Sequence, residues 1–204
     1  MKIPKIIHQI YDCPSGVPDT LLMLSETWKT KHPAWEYCFW NHESIQSFLQ
    51  DHCSQFIPTY NSYQCDKQRW ELLRYLILYH IGGLYVDMDC ECLEPVDSLL
   101  KNRLCCLGLE PTENADRLGK KKLIGNAMPA AVPRHPFFEQ FVGMTGKAER
   151  NRVRFNTVIT DAENNTQRIQ YGICFIGNAF NVLFFLQTFL LTLYFHYTGR
   201  YLTG

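Results

Sequence analysis

The chain has no surplus of charge, with 20 acidic residues against 20 basic ones in 204. Without a net field, neither nucleic acid nor an anionic membrane is drawn to it by bulk electrostatics, and nucleic-acid binding is not expected. Glycine-rich phosphate cradles are missing: neither GxGxxG nor GxxxxGK[ST] occurs, and there is no GxSxG elbow. Rossmann-type, P-loop and serine-hydrolase sites are thereby excluded. Nine cysteines are present without a CxxC; Cys13, Cys38, Cys53, Cys65 and Cys174 stand singly, Cys90 and Cys92 are two apart, and Cys105 and Cys106 are adjacent. That spacing matches neither a zinc knuckle nor a thioredoxin motif, and an odd count predicts buried thiols in a reducing compartment. No apolar run approaches the roughly 20 residues of a membrane-spanning helix. The most apolar stretch, 179–197, is interrupted by Asn181, Gln187, Thr188 and Thr192 and predicts a core or interfacial helix. Met1-Lys2-Ile3-Pro4 opens without an apolar signal region, so the expected location is cytoplasmic, at most peripheral to a membrane.

What the chain does have is 46% apolar residues and 13 Phe, 11 Tyr and 4 Trp, enough for one well-buried core. A single domain over 1–204 is the expectation. Residues 5–11 (KIIHQIY) read as a first strand and Pro18-Asp19 opens a helix with Leu21, Leu22, Leu24, Ser25 and Trp28 on its apolar face. Residues 36–40 (EYCFW) read as a second strand, and Asn41 is placed to cap a helix carrying Ile45, Phe48 and Leu49. The alternation predicts an α/β layered fold with a largely parallel sheet. Residues 53–63 read as irregular, 104–109 as a strand, 111–122 as a polar loop, and 137–144 as a helix.

The chemistry gathers in 70–94, WELLRYLILYHIGGLYVDMDCECLE. A helix from Asp66 to about Ile81 is apolar around much of its circumference, yet carries Glu71 and Arg74 one turn apart. Such charges in an apolar helix are paired or line a polar cavity. Gly82-Gly83 releases the helix into a strand at Leu84-Tyr85-Val86, and Asp87 and Asp89 follow, on one side by strand periodicity. Two carboxylates at a strand end supply oxygen ligands for Mg²⁺ or Mn²⁺, which complete their shells with water and phosphate. An EF-hand is excluded: Cys92 stands where its glycine is required and Ser98 where its bidentate glutamate is required. Tyr11, at the carboxyl end of the first strand, is a candidate to stack on a flat ligand, although an aromatic strand residue is more often core.

Several runs together resemble the DXD sugar-transferase family 32, which includes capsular polysaccharide transferases and yeast Och-type mannosyltransferases. They are Ile3-Pro4-Lys5-Ile6-Ile7-His8-Gln9-Ile10-Tyr11, Pro33-Ala34-Trp35-Glu36-Tyr37, Glu71-x-x-Arg74-Tyr75, and Leu78-Tyr79-x-x-Gly82-Gly83-Leu84-Tyr85-Val86-Asp87-Met88-Asp89, with Asn126 and His135-Pro136. The resemblance implies a GT-A-like fold, a UDP- or GDP-hexose donor, Mn²⁺ or Mg²⁺, a glycan or polysaccharide acceptor, and retention of anomeric configuration. It implies Asp87 and Asp89 as the metal and diphosphate pair, Arg74 and Glu71 as catalytic groups at the donor sugar, and Tyr11, Arg74, Asp87 and Asn126 as donor-binding residues. Glu71 stands where the family usually has Asp, and Tyr11 where it usually has Trp. After Thr198-Gly199-Arg200 the family continues into a segment with His and Trp that closes over the donor. The chain is therefore expected to be C-terminally shortened, with a nucleotide-sugar or glycan binding module as the alternative to a transferase.

Overall fold

A computed structural model describes residues 2–117, 121, 123–145, 152–160, 166–174 and 201–203. The apolar stretch 179–197 and the element at 198–200 lie outside the described residues. In chain order the elements are β1 (Ile6–Ile10), α1 (Asp19–Lys31), β2 (Glu36–Trp40), α2 (His42–His52), a 3₁₀ turn (Ser54–Phe56), α3 (Ile57–Ser62), α4 (Asp66–His80) and β3 (Gly83–Tyr85). They continue as α5 (Asp97–Leu100), β4 (Cys105–Leu109), α6 (Thr112–Arg117), β5 (Ile124–Ala131), α7 (Pro136–Thr145), β6 (Arg152–Thr160), β7 (Thr166–Cys174) and β8 (Tyr201–Thr203).

The sheet runs β2-β1-β3-β5-β4-β8-β6-β7. The α/β class is what the chain adopts, with helices over a central sheet. β1 pairs in parallel with both β2 and β3, through crossovers carrying α1 and α2 to α4. From β5 onward the pairing is antiparallel, because β4 and β5 are linked without a crossover back over the sheet. This mixture sets up the site. Parallel pairing brings the carboxyl ends of β1, β2 and β3 to one edge, where ligands of α/β sheets bind. Antiparallel pairing of β5 turns its amino end toward the same edge, where the Asp87 amide donates to the Ala127 carbonyl at 2.9 Å.

Two apolar clusters cover the sheet. Leu72, Leu73, Leu76 and Ile77 of α4 pack with Phe48, Leu49, Tyr85 and Phe138 in one. Trp28 of α1 packs with Ile7, Leu84, Val86, Leu100 and Met128 in the other. The N-terminal half of α1 is less covered than its pattern predicts: Leu22 and Met23 are exposed, and only Ser25 and Trp28 are buried. Asn41 caps α2 as expected, through a reciprocal capping box with Ser44. Asp66 does not cap α4; Cys65 holds that position, and Asp66 pairs with Arg69 instead. Two predicted irregular segments contain helix, α3 with Pro58 in its first turn and α6 inside 111–122. Cys13, Cys38, Cys53, Cys65, Cys90, Cys92, Cys105 and Cys106 are free thiols, and burial raises Cys53 and Cys105 to about 12, so these two act as small apolar core groups.

His8 locks the break after α4. Its fully buried ring accepts the Trp40 indole N–H at Nδ1 (3.2 Å) and donates from Nε2 to the Gly82 carbonyl (2.8 Å). Gly82 and Gly83 have φ of 73° and 101°, which side chains rarely adopt. A Cβ on Gly83 would lie 2.7 Å from the Ile6 carbonyl oxygen and 3.0 Å from His8 Nε2. Gly83→Ala is accordingly expected to destabilise the fold by about 2 kcal/mol or more, measured by urea unfolding. Burial lowers His8 from 6.5 to about 4, against the opposing Gly82 hydrogen bond. A depressed histidine pKa means the unfolded chain binds the proton first. Its contribution is complete above pH 6.5 and falls by about 3 kcal/mol as pH drops to about 4. Imidazole ¹⁵N shifts should show His8 neutral, with the proton on Nε2, at pH 6.5 and beginning to protonate only as pH approaches about 4.

Candidate active site

Arg74 is the hub. Its side chain is 6% exposed on α4, and Nη2 lies 3.1 Å from Glu71 Oε1 and 3.1 Å from Asp87 Oδ1. Nη1 donates to the Asn126 carbonyl at 2.6 Å, and the guanidinium sits 4.6 Å from the centre of the Tyr85 ring. The Asn126 amide donates to the other Glu71 oxygen at 2.5 Å, and the Tyr85 hydroxyl donates to Asp87 Oδ1 at 2.8 Å. The Glu71–Arg74 pair is thus no surface i, i+3 pair worth a few tenths of a kcal/mol. It is a buried network in which each charge depends on its neighbours. Within this network Arg74 Nε is buried without a partner.

The electrostatics follow from burial. Desolvation opposes the Arg74 charge, but Asp87 and Glu71 outweigh it and hold its pKa above the usual arginine value. Burial raises Glu71, with Arg74 and the Asn126 amide pulling the other way. Burial also keeps the Tyr85 phenol well above its ordinary value, so it remains a proton donor to Asp87. Asp89 is pushed up to about 6, first by burial and then by the charge of Asp87, with Arg74 and Lys67 offsetting part of it. Three carboxylates against one buried guanidinium leave the site with excess negative charge at Asp89. A cation is the group that would relieve it.

The local backbone differs from the expected strand. β3 ends at Tyr85, and Asp87 to Cys90 form a turn closed by the Cys90 amide on the Asp87 carbonyl at 3.1 Å. Gln9 supports the turn by donating from Nε2 to the Asp87 carbonyl (3.3 Å), while its own oxygen accepts the Tyr37 hydroxyl (2.6 Å). Met88 turns inward and is buried, leaving Asp89 partly open.

Of the residues singled out in the sequence, Glu71, Arg74, Asp87 and Asn126 fall into one hydrogen-bonded network, and Asp89 lies beside it. Tyr11 stands apart. Its ring packs on Trp70 of α4 at 5.4 Å, and it lines a cavity of about 590 Å³ with Asp12, Phe39, Asn41 and His42 at the carboxyl ends of β1 and β2. Tyr85 and Gln9 were not anticipated. The alternation Tyr85-Val86-Asp87 could have flagged the first, since residues two apart share a strand face. Among the described residues no group of three or more His, Cys, Asp or Glu side chains is arranged to hold a metal. Asp87 and Asp89 supply two oxygen donors, a set suited to a hard divalent ion that takes its remaining ligands from water and phosphate.

The site is thus an Asp-x-Asp turn at the carboxyl edge of an α/β sheet, backed by a buried Arg–carboxylate network. Residues 18–105 match the family described as "Glycosyltransferase sugar-binding region containing DXD motif". The chain belongs to this DXD glycosyltransferase family, family 32. It is 32% identical over 165 residues to inositol phosphoceramide mannosyltransferase 1 of Schizosaccharomyces pombe, covering 79% of this chain and 49% of that protein. It is 33% identical over 136 residues to mannosyl phosphorylinositol ceramide synthase CSH1 of Saccharomyces cerevisiae (67% and 33% covered). An uncharacterized glycosyltransferase, L373, of Acanthamoeba polyphaga mimivirus is 30% identical over 142 residues (67% and 53%). The chain spans about half the length of these relatives or less.

Proposed function

We propose that the chain is a metal-dependent, retaining glycosyltransferase that moves a hexose from a nucleotide-diphosphate donor to an acceptor hydroxyl. Mannose is the sugar and a phosphoinositol ceramide the acceptor named for two of its relatives, which makes a glycolipid or glycan hydroxyl the acceptor class to try first. The observation that carries the reading is the Arg74 network. It fixes Asp87 and Glu71 at the sheet edge and leaves the charge of Asp89 only partly offset.

In this reading Asp87 and Asp89 hold a divalent cation, Mn²⁺ or Mg²⁺, which when bound neutralises the departing diphosphate. Tyr85 and Arg74 hold Asp87 in one orientation, so the site need not reorganise as charge develops. Arg74 presents positive charge to the donor's hydroxyls or phosphate. Glu71 and Asp87, both held in ion pairs, would stabilise the positive charge that builds on the sugar ring, and the acceptor hydroxyl attacks from the face the diphosphate leaves, giving its proton to the departing diphosphate oxygen. In this reading no side chain of the network forms a bond to the sugar. Tyr11 and the cavity beside it would receive the base, the ring stacking as the family's usual tryptophan does. Asn126 acts indirectly, since its amide is committed to Glu71.

Titration calorimetry with GDP- and UDP-hexoses, with and without Mn²⁺, tests this reading. Mn²⁺-dependent binding followed by release of nucleoside diphosphate is expected. Binding without turnover would make the chain a nucleotide-sugar binding module, and no binding would contradict both readings.

A further inference from the structure

Helix α1 takes no part in the Arg74 network, yet it grips the backbone that follows Asp89. Thr27 Oγ1 accepts the Cys92 amide N–H at 2.9 Å and donates to the Leu24 carbonyl at 2.6 Å. The Trp28 indole N–H donates to the Cys90 carbonyl at 2.8 Å. His32 Nε2 accepts the Val96 amide N–H at 3.0 Å, while its Nδ1–H donates to the Trp28 carbonyl at 3.1 Å. The Ser25 hydroxyl, 3.0 Å from the Leu21 carbonyl, also lies 3.7 Å from the Met88 sulfur. The Trp28 and His32 rings lie nearly parallel, centres 5.7 Å apart. Between Tyr85 and Asp97 the chain has no helix or strand, so these side chains take the place of a ladder for its backbone groups.

The two carboxylates are therefore fixed from opposite layers. Asp87 is held from α4 and the sheet by Arg74, Tyr85 and Ala127. Asp89 has on either side a residue in contact with α1, Met88 at Ser25 and Cys90 at Trp28. Like charges so close repel, and an unrestrained loop would relax by swinging Asp89 away. Ligands that must stay together against repulsion need outer partners to hold them.

We infer that Thr27, acting with Trp28 and His32, is a positioning residue that keeps Asp89 beside Asp87 for cation binding. This rests on the reading of the two aspartates as cation ligands. Thr27→Val keeps the shape and removes the acceptor for Cys92; Thr27→Ser keeps the hydroxyl. In the full chain, Mn²⁺ affinity by calorimetry should fall about tenfold in Thr27→Val and recover in Thr27→Ser. Hydrogen exchange at the Cys92 amide should quicken in the valine variant alone, with the melting midpoints of the two variants close together. Wild-type Mn²⁺ affinity in Thr27→Val, or a loss that serine does not restore, would overturn the assignment of Thr27. A wild-type chain that takes up no Mn²⁺ would instead overturn the cation reading itself.

Discussion

Arg74→Met is expected to destabilise the chain by about 3–5 kcal/mol, the usual cost of removing one member of a buried ion pair. The methionine fills the volume, so the cost is electrostatic: Glu71 and Asp87 are left facing each other beside a low-dielectric core. Arg74→Lys should recover only part of it. An ammonium is a point charge and cannot reach Glu71, Asp87 and the Asn126 carbonyl together with the fork geometry of a guanidinium. Adding Glu71→Gln to Arg74→Met should return part of the loss, because one unpaired carboxylate disappears. Urea unfolding of the three variants measures the series, and additive losses in the double variant would contradict the network.

Asp89→Asn is expected to separate function from stability. Without the second anionic ligand, turnover should fall by about 10²–10³-fold, in line with deletion of one electrostatic stabiliser from an active site. Stability should move the other way. Asp89 is raised to about 6 from its ordinary value of 3.8, so the metal-free folded state binds its proton more readily than the unfolded chain. Its ionised form therefore carries a cost above pH 6, relieved as pH falls toward 3.8. A neutral asparagine removes that cost, and the metal-free variant should melt at or above the wild-type temperature at pH 7. Steady-state rates and thermal melts of the same preparation make both measurements. Residues kept for function at the expense of stability show this opposition.

Much of this site could be read from residue order, for physical reasons that vary along the chain. Glu71 and Arg74 stood out because charge in an apolar helix demands a partner, and Gly82-Gly83 because the chain must leave the helix with positive φ. The alternation of strand and helix up to Trp40 gave the parallel part of the sheet. Position-specific contacts were hidden. Asp87 and Asp89 looked like members of one strand, but the strand stops at Tyr85 and a turn intervenes, because Met88 is drawn into the core beside Ser25. The antiparallel pairing of β5 depends on a long-range register that no local pattern encodes, so the role of the Asn126 carbonyl and amide emerged only in three dimensions. The grip of α1 was masked for the same reason: Thr27 and His32 look like ordinary helix residues until the loop from Asp87 to Val96 is laid across them.

The central claim is that Asp87 and Asp89 hold a divalent cation against the donor diphosphate. Release of nucleoside diphosphate from GDP- and UDP-hexoses, measured on the wild-type chain stripped with EDTA and then titrated with Mn²⁺, tests it most directly. No release is expected after stripping, with saturable recovery as Mn²⁺ is added. Undiminished release in EDTA would contradict it.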